Sequence, residues 1–170
     1  MMSMLDLNSK FDVVISTTAA RLKPLGYKRK RNTFRKLLDG NSGVLEFQRS
    51  MANSAESLSF TVNLAVVCGR LLEDYSPPLE KAGAVDGHMK ARIGGLIVPR
   101  QDPWWVIEQG TDGEALAREV ADTVEQMGAP YVERYLRSED LIAAWKSGDP
   151  LGNNDFMRLQ YLDRLLGDGS

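Results

Sequence analysis

The sequence predicts an α+β domain: an antiparallel meander sheet of about five strands with an N-terminal helix and a C-terminal group of helices packed on one face. Three observations carry that prediction. A helical apolar stripe opens the chain, alternating segments separated by turn residues fill its middle, and helical periodicity returns in its last third. One helix, then strands, then helices is the order of an antiparallel sheet covered on one face, not of a doubly wound parallel sheet.

The first helix is expected over residues 9–25, where Phe11, Val14, Ile15, Leu22 and Leu25 recur at helical spacing. Pro24 loosens its last turn and Gly26 supplies a left-handed stop. Residues 33–38 read as a strand. The cluster Asp39-Gly-Asn-Ser-Gly43 reads as a turn, so residues 44–50 return antiparallel. Residues 57–67 are the clearest strand, because Phe60, Val62, Leu64 and Val66 alternate with Ser59, Thr61, Asn63 and Ala65.

Residues 69–87, with Pro77-Pro78 and several charges, read as a long surface connection of a kind that tends to be mobile or functional, with room for a short helix near 79–84. Residues 88–98 read as a fourth strand in which Gly94-Gly95 invites a bulge, and residues 104–108 as a short fifth. A helix opens at Asp112 or Gly113, carries Leu116, Val120, Val124 and Met127 inward, and is expected to stop at Gly128. Pro130 opens a short helix over 131–136. Ser138 resembles the cap of a helix bearing Leu141, Ile142 and Trp145. Asn154 or Asp155 caps a last one carrying Phe156, Leu159, Leu162, Leu165 and Leu166. Residues 1–137 therefore make an α+β domain, with residues 138–170 a helical extension packed on it.

Five segments occur in a fixed order: Leu22-Lys-Pro-Leu-Gly-Tyr-Lys-Arg-Lys30, Phe47-Gln-Arg-Ser50, Phe60-Thr-Val-Asn-Leu64, Arg92-Ile-Gly-Gly-Leu96 and Asp102-Pro-Trp-Trp105. Together with Ala129-Pro130 they resemble a bacterial family, domain of unknown function 4304, over roughly residues 10–137. The resemblance implies a compact bacterial domain and carries over no catalytic residue.

Composition narrows the chemistry. At 43% hydrophobic and 26% charged, 170 residues make an ordinary globular chain. No run approaches the ~18 apolar residues of a membrane span, and the N-terminus lacks the basic-then-apolar pattern of a secretory signal. Cys68 is the only cysteine, which suits a cytoplasmic setting. Net charge is -2, distributed as +6 over residues 1–50, 0 over 51–100 and -8 over 101–170. That split either neutralises itself across the fold or leaves a basic and an acidic face.

His88 is the only histidine, so His-rich metal sites are excluded, and no phosphate-binding glycine loop, Cys-x-x-Cys pair or nucleophile elbow occurs. No catalytic residue, metal ligand or cofactor is assigned. Cys68 and His88 as nucleophile and base rank behind a buried, inert cysteine. Lys28, Arg29, Lys30 and Arg31 form the sharpest charge cluster. Contact with nucleic-acid phosphates ranks behind a solvated edge strand whose cations discourage pairing. Period-2 alternation also groups Gln48 with Ser50, Thr61 with Asn63, and His88 with Lys90 and Arg92. Where these faces coincide, Gln48, Asn63, His88 and Arg92 form a polar patch suited to a polar or anionic group. Trp104 and Trp105 point to opposite sides, one into the core and one as a wall of the patch. The bland alternative is the water-facing side of an antiparallel sheet. Acids such as Glu119 and Asp122 read as a solvated helix face.

The leading expectation is a non-enzymatic domain that binds another bacterial protein. A small-ligand site on the polar sheet face, with enzymatic use of it, comes second, and nucleic-acid binding through Lys28 to Arg31 third. No membrane association is expected, and oligomeric state is left open.

Overall fold

A computed structural model of the chain describes residues 4–51, 53–74, 76–97 and 104–167. Its architecture is α+β. Helix α1 (Met4–Leu22) runs into a 3-10 turn and reaches a six-stranded antiparallel sheet: β1 (Lys28–Lys30), β2 (Thr33–Leu38), β3 (Asn41–Arg49), β4 (Leu58–Cys68), β5 (Met89–Arg92) and β6 (Trp105–Ile107). Helices α2 (Gly113–Thr123), α3 (Ala129–Arg134), α4 (Ser138–Lys146) and α5 (Asp155–Gly167) follow. The spatial order is β1-β2-β3-β4, after which β5 and β6 share one edge of β4. β5 pairs at Asn63 to Val66 and β6 at Leu58 to Phe60.

One face of this sheet holds the main core. Phe34, Phe47, Phe60, Val62, Leu64 and Val66 meet Leu7, Phe11, Val14 and Ile15 of α1 and Val120, Val124 and Val132 from the C-terminal helices. Phe60 sits at the centre, with ring centroids 5.1 Å from Phe11, 6.0 Å from Phe47 and 5.6 Å from Trp105. Burying each such side chain stabilises the fold by roughly 1.5–3 kcal/mol before chain entropy is counted. Leu141, Trp145, Leu151 and Leu165 belong to the same buried cluster, so α4, α5 and the segment between them pack on the same core.

The opposite face carries a smaller cluster. Val44, Ala65 and Val67 pack beneath Ala82, Ala84, Leu72 and Leu79 of the connection after β4. The described residues of that connection include the 3-10 turns Gly69–Leu71, Leu79–Lys81 and Ala84–Asp86, and they are fastened to the sheet. Arg35 donates to the carbonyls of Ala82 (2.7 Å) and Lys81 (3.1 Å), and Ala84 N–H donates to Glu46 Oε1 (3.3 Å).

Several elements depart from expectation. A short strand precedes the expected first one, because Lys28 to Lys30 pair with Thr33 to Arg35. The turn after β2 is only Asp39-Gly40, both at positive φ (57° and 74°), which is the two-residue geometry matched to strand twist. β3 therefore starts at Asn41, and Gly43 lies inside it. The fourth expected strand stops at Arg92, where a 3-10 turn over Ile93–Leu96 replaces the bulge. Val98, its expected end, and Asp102-Pro103 lie outside the described residues. Gly128 does not stop the long helix. Its backbone stays right-handed (φ -70°, ψ -54°) and a π-type turn over Val124–Gly128 runs directly into α3, since the apolar stripe continues through Ala129 and Val132. Ser138 does not cap α4 with its side chain. Its own N–H is accepted by Asp39 Oδ2 (3.0 Å), so the hairpin turn caps the helix from across the fold. Asn154 caps α5 by accepting from Met157 N–H (2.8 Å).

Gly43 marks a close approach of sheet and helix, where a Cβ would stand 2.6 Å from Val132 Cγ1. Gly43→Val is expected to destabilise the domain by about 1–3 kcal/mol through overpacking. The check is a lowered urea midpoint at unchanged slope.

Candidate functional site

Two surfaces bring together the residues singled out in the sequence. The first is the part of the minor sheet face that lies beyond the connection after β4. Strand register aligns Thr33, Glu46, Asn63 and Arg92 as one row across β2, β3, β4 and β5. Asn63 Nδ2 donates to Gln48 Oε1 at 2.7 Å, and the Arg92 guanidinium lies 5.4 Å from the centre of the Trp104 ring. Ala84, Val85 and Lys90 complete an open groove of about 440 Å³ around Glu46, Gln48, Asn63 and Arg92. The Glu46 carboxylate is already engaged, its Oε1 accepting from Thr33 Oγ1 (3.2 Å) and from Ala84 N–H. The groove can hold a polar group by amide and guanidinium donors, with one carboxylate close by.

Gln48, Asn63, Arg92 and Trp104 thus meet, while Trp105 and His88 lie elsewhere. Trp105 packs on Phe60 at the main core. His88 precedes the first residue of β5, so strand alternation does not govern its side chain. It is 6% exposed and wedged between β4 and α5. Its Nδ1 accepts from Cys68 N–H (3.0 Å), its carbonyl accepts from Asn153 Nδ2 (2.6 Å), and its ring meets the Tyr161 ring at 5.0 Å. Glu46 was not among the residues singled out, although it shares β3's alternation with Gln48. The groove wall at Ala84 and Val85 carries no sequence signal.

Cys68 and His88 are neighbours without being a nucleophile and base. The imidazole nitrogen that could take a proton faces the Cys68 backbone, and the Cys68 Sγ lies 3.9 Å from Ser138 Oγ. Burial pushes the thiol's pKa up. Among the described residues no group of three His, Cys, Asp or Glu side chains could hold a metal ion. Among them, too, no helix is long and apolar enough to cross a membrane.

The second surface surrounds β1. Lys28, Arg29, Lys30 and Arg31 are exposed. Elsewhere the basic N-terminal segment meets the acidic helices: Arg21 pairs with Asp122 (2.6 Å) and Glu125 (3.0 Å), and Lys36 with Glu133 (2.7 Å). Among the described residues, Lys23, Lys28, Arg29, Lys30 and Arg31 have no carboxylate at ion-pair distance, and Arg29 Nε donates instead to the Arg31 carbonyl.

The family model described as Domain of unknown function (DUF4304) matches residues 18–134, a span that includes both surfaces. No curated protein and no solved structure matches the chain.

Burial, with smaller contributions from Arg164 and Lys90, lowers the His88 pKa from 6.5 to about 4 against opposing pulls from the Leu71 backbone and Asp86. The imidazole is neutral in the folded state, so the unfolded chain takes up its proton first as pH falls. Stability carried by neutral His88 is complete above pH 6.5 and is lost progressively down to about 4, a change on the order of 3 kcal/mol. Urea unfolding across that window is expected to show this loss in the native chain. His88→Asn, which keeps an acceptor for Cys68 N–H, should show a correspondingly shallower slope.

Proposed function

The chain belongs to the DUF4304 family, and we propose that it is a non-enzymatic bacterial domain that binds another protein through the basic end of its sheet. The observation that carries this reading is the unpaired cation cluster at Lys23 and Lys28 to Arg31. The fold draws Arg21 and Lys36 into ion pairs with its own acidic helices and leaves this group to solvent. Concentrated like charge of this kind costs self-repulsion and is relieved by an anionic partner, which it also steers into contact. A reducing cytoplasm suits the lone buried thiol of Cys68. The Glu46 carboxylate in the groove is held by structural hydrogen bonds, which favours binding over acid–base work.

A second reading has its own observation. The Asn63–Gln48 bond, the Arg92–Trp104 stack and a groove of about 440 Å³ suit a small polar or anionic ligand on the minor sheet face. Ligand pockets commonly occupy roughly 300–1,000 Å³. Under that reading, Asn63→Ala abolishes thermal stabilisation by a small carboxylate or phosphate compound while the unliganded melting temperature holds.

For the leading reading, the tagged chain is expected to retain a stoichiometric protein from nuclease-treated host lysate at moderate salt. Lys28→Glu/Lys30→Glu should lose it with a melting temperature within about 2 °C of the native chain. Retention of the same protein by the doubly reversed variant would overturn this assignment. Material that disappears with nuclease would move the assignment to nucleic acid.

A further inference from the structure

β1 is the outermost strand of the sheet, with β2 as its neighbour on one side and, among the described residues, no strand on the other. Two cavities straddle this edge. On the minor face, Lys28, Lys30, Arg35, Leu37 and Glu80 enclose about 360 Å³. On the helix face, Ala19, Lys23, Tyr27 and Phe34 enclose about 420 Å³. Gly26, Lys28 and Arg29 border both, so the strand lies between them.

Resting on the protein-binding reading above, we infer that β1 receives an extended acidic segment of the partner, which adds to the sheet as a further strand. An added strand lies about 4.8 Å from its neighbour and sends successive side chains to opposite faces. Every second residue would then stand beside Lys28 and Lys30 over the minor-face cavity. The residues between them would enter the helix-face cavity, above the buried rings of Tyr27 and Phe34. Main-chain hydrogen bonds supply affinity in this mode, and pockets for alternate side chains supply selectivity.

Charge selects the occupant. Cations on an exposed edge oppose pairing with neutral strands and with a second copy of the same basic edge. The same cations attract an acidic strand, since opposite charges directly across a strand pair stabilise it. Nucleic acid would also meet the cations, but single-stranded binding draws on exposed aromatic faces. Tyr27 and Phe34 are only 4% and 1% exposed.

The test uses the full chain and a fluorescein-labelled peptide of alternating glutamate and valine, about ten residues long. Two further versions carry N-methyl groups on the odd or on the even residues. Binding by anisotropy is expected to fall at least about tenfold in Lys28→Glu/Lys30→Glu. Lys28→Gln/Lys30→Gln serves as a second variant should the first misfold. One methylated peptide should lose at least about tenfold and the other bind nearly as the parent, because only alternate N–H groups of an added strand face β1. Equal binding of both methylated peptides, or equal loss in both, would overturn strand addition. If charge reversal still weakens the parent peptide in that case, the basic protein-binding surface stands without the strand. No binding at millimolar peptide, or displacement by oligothymidylate at equal concentration, would overturn the inference as well.

Discussion

The burial of β4 on both faces is the constraint from which the rest of the molecule follows. Its even-numbered residues, Leu58 through Cys68, lie wholly in the main core and demand a helical layer above them. Its odd-numbered residues split. Ala65 and Val67 are small and apolar and call for a thin cover, Thr61 is buried, and Asn63 and Ser59 remain partly exposed. The connection after β4 supplies that thin cover with its alanines, Ala82 and Ala84, and ends where apolar residues on β4 give way to Asn63. The groove is thus the part of the minor face beyond the end of that connection, and its walls are the end of the connection and the register partners Glu46 and Arg92.

Charge follows the same logic of what packing consumes. The basic N-terminal segment and the acidic helices are neighbours in space although far apart in sequence, and Arg21 and Lys36 are used to join them. These pairs are partly exposed, so solvent screens them and each adds little to stability. Their larger consequence is spatial. They neutralise the seam between α1, β2 and the helices and leave the run at β1, beyond reach of the helices, as the place where positive charge accumulates.

Much of this was legible in the residues. The strict alternation of β4, the apolar stripe of α1 and the position of Asn154 before α5 each specify a local conformation that tertiary packing then respects. The groove's Gln48, Asn63 and Arg92 followed from alternation alone, and Trp104 and Trp105 do separate, with Trp105 on the core side. His88 did not follow, because alternation holds only inside a strand and β5 begins one residue later. Gly128 misled because a glycine ends a helix only where the chain must turn, and there the apolar stripe continues. Ser138 misled because its cap comes from Asp39, a contact across 99 residues that no local pattern encodes. The connection over 69–87 looked loose from its prolines and glycines. Its fastening by Arg35 and Glu46 depends on strand register, which sequence alone does not reveal.

The two edges of the sheet are treated differently, and the difference bears on function. On the β5 side, the segment between α4 and α5 lies against the strand: Lys90 N–H donates to the Leu151 carbonyl (3.0 Å) and Asn153 reaches the His88 carbonyl. Leu151 is buried there and Trp145 anchors the same segment in the core, so the β5 part of this edge is covered by residues beyond the span of the family model. Among the described residues no strand lies beyond β1, and its exposed cations guard that side. A covered edge is closed to every strand, whereas a charged edge is closed only to strands that cannot neutralise it. Under the strand-addition reading, the chain covers β5 with packing and leaves β1 conditional on a partner's charge.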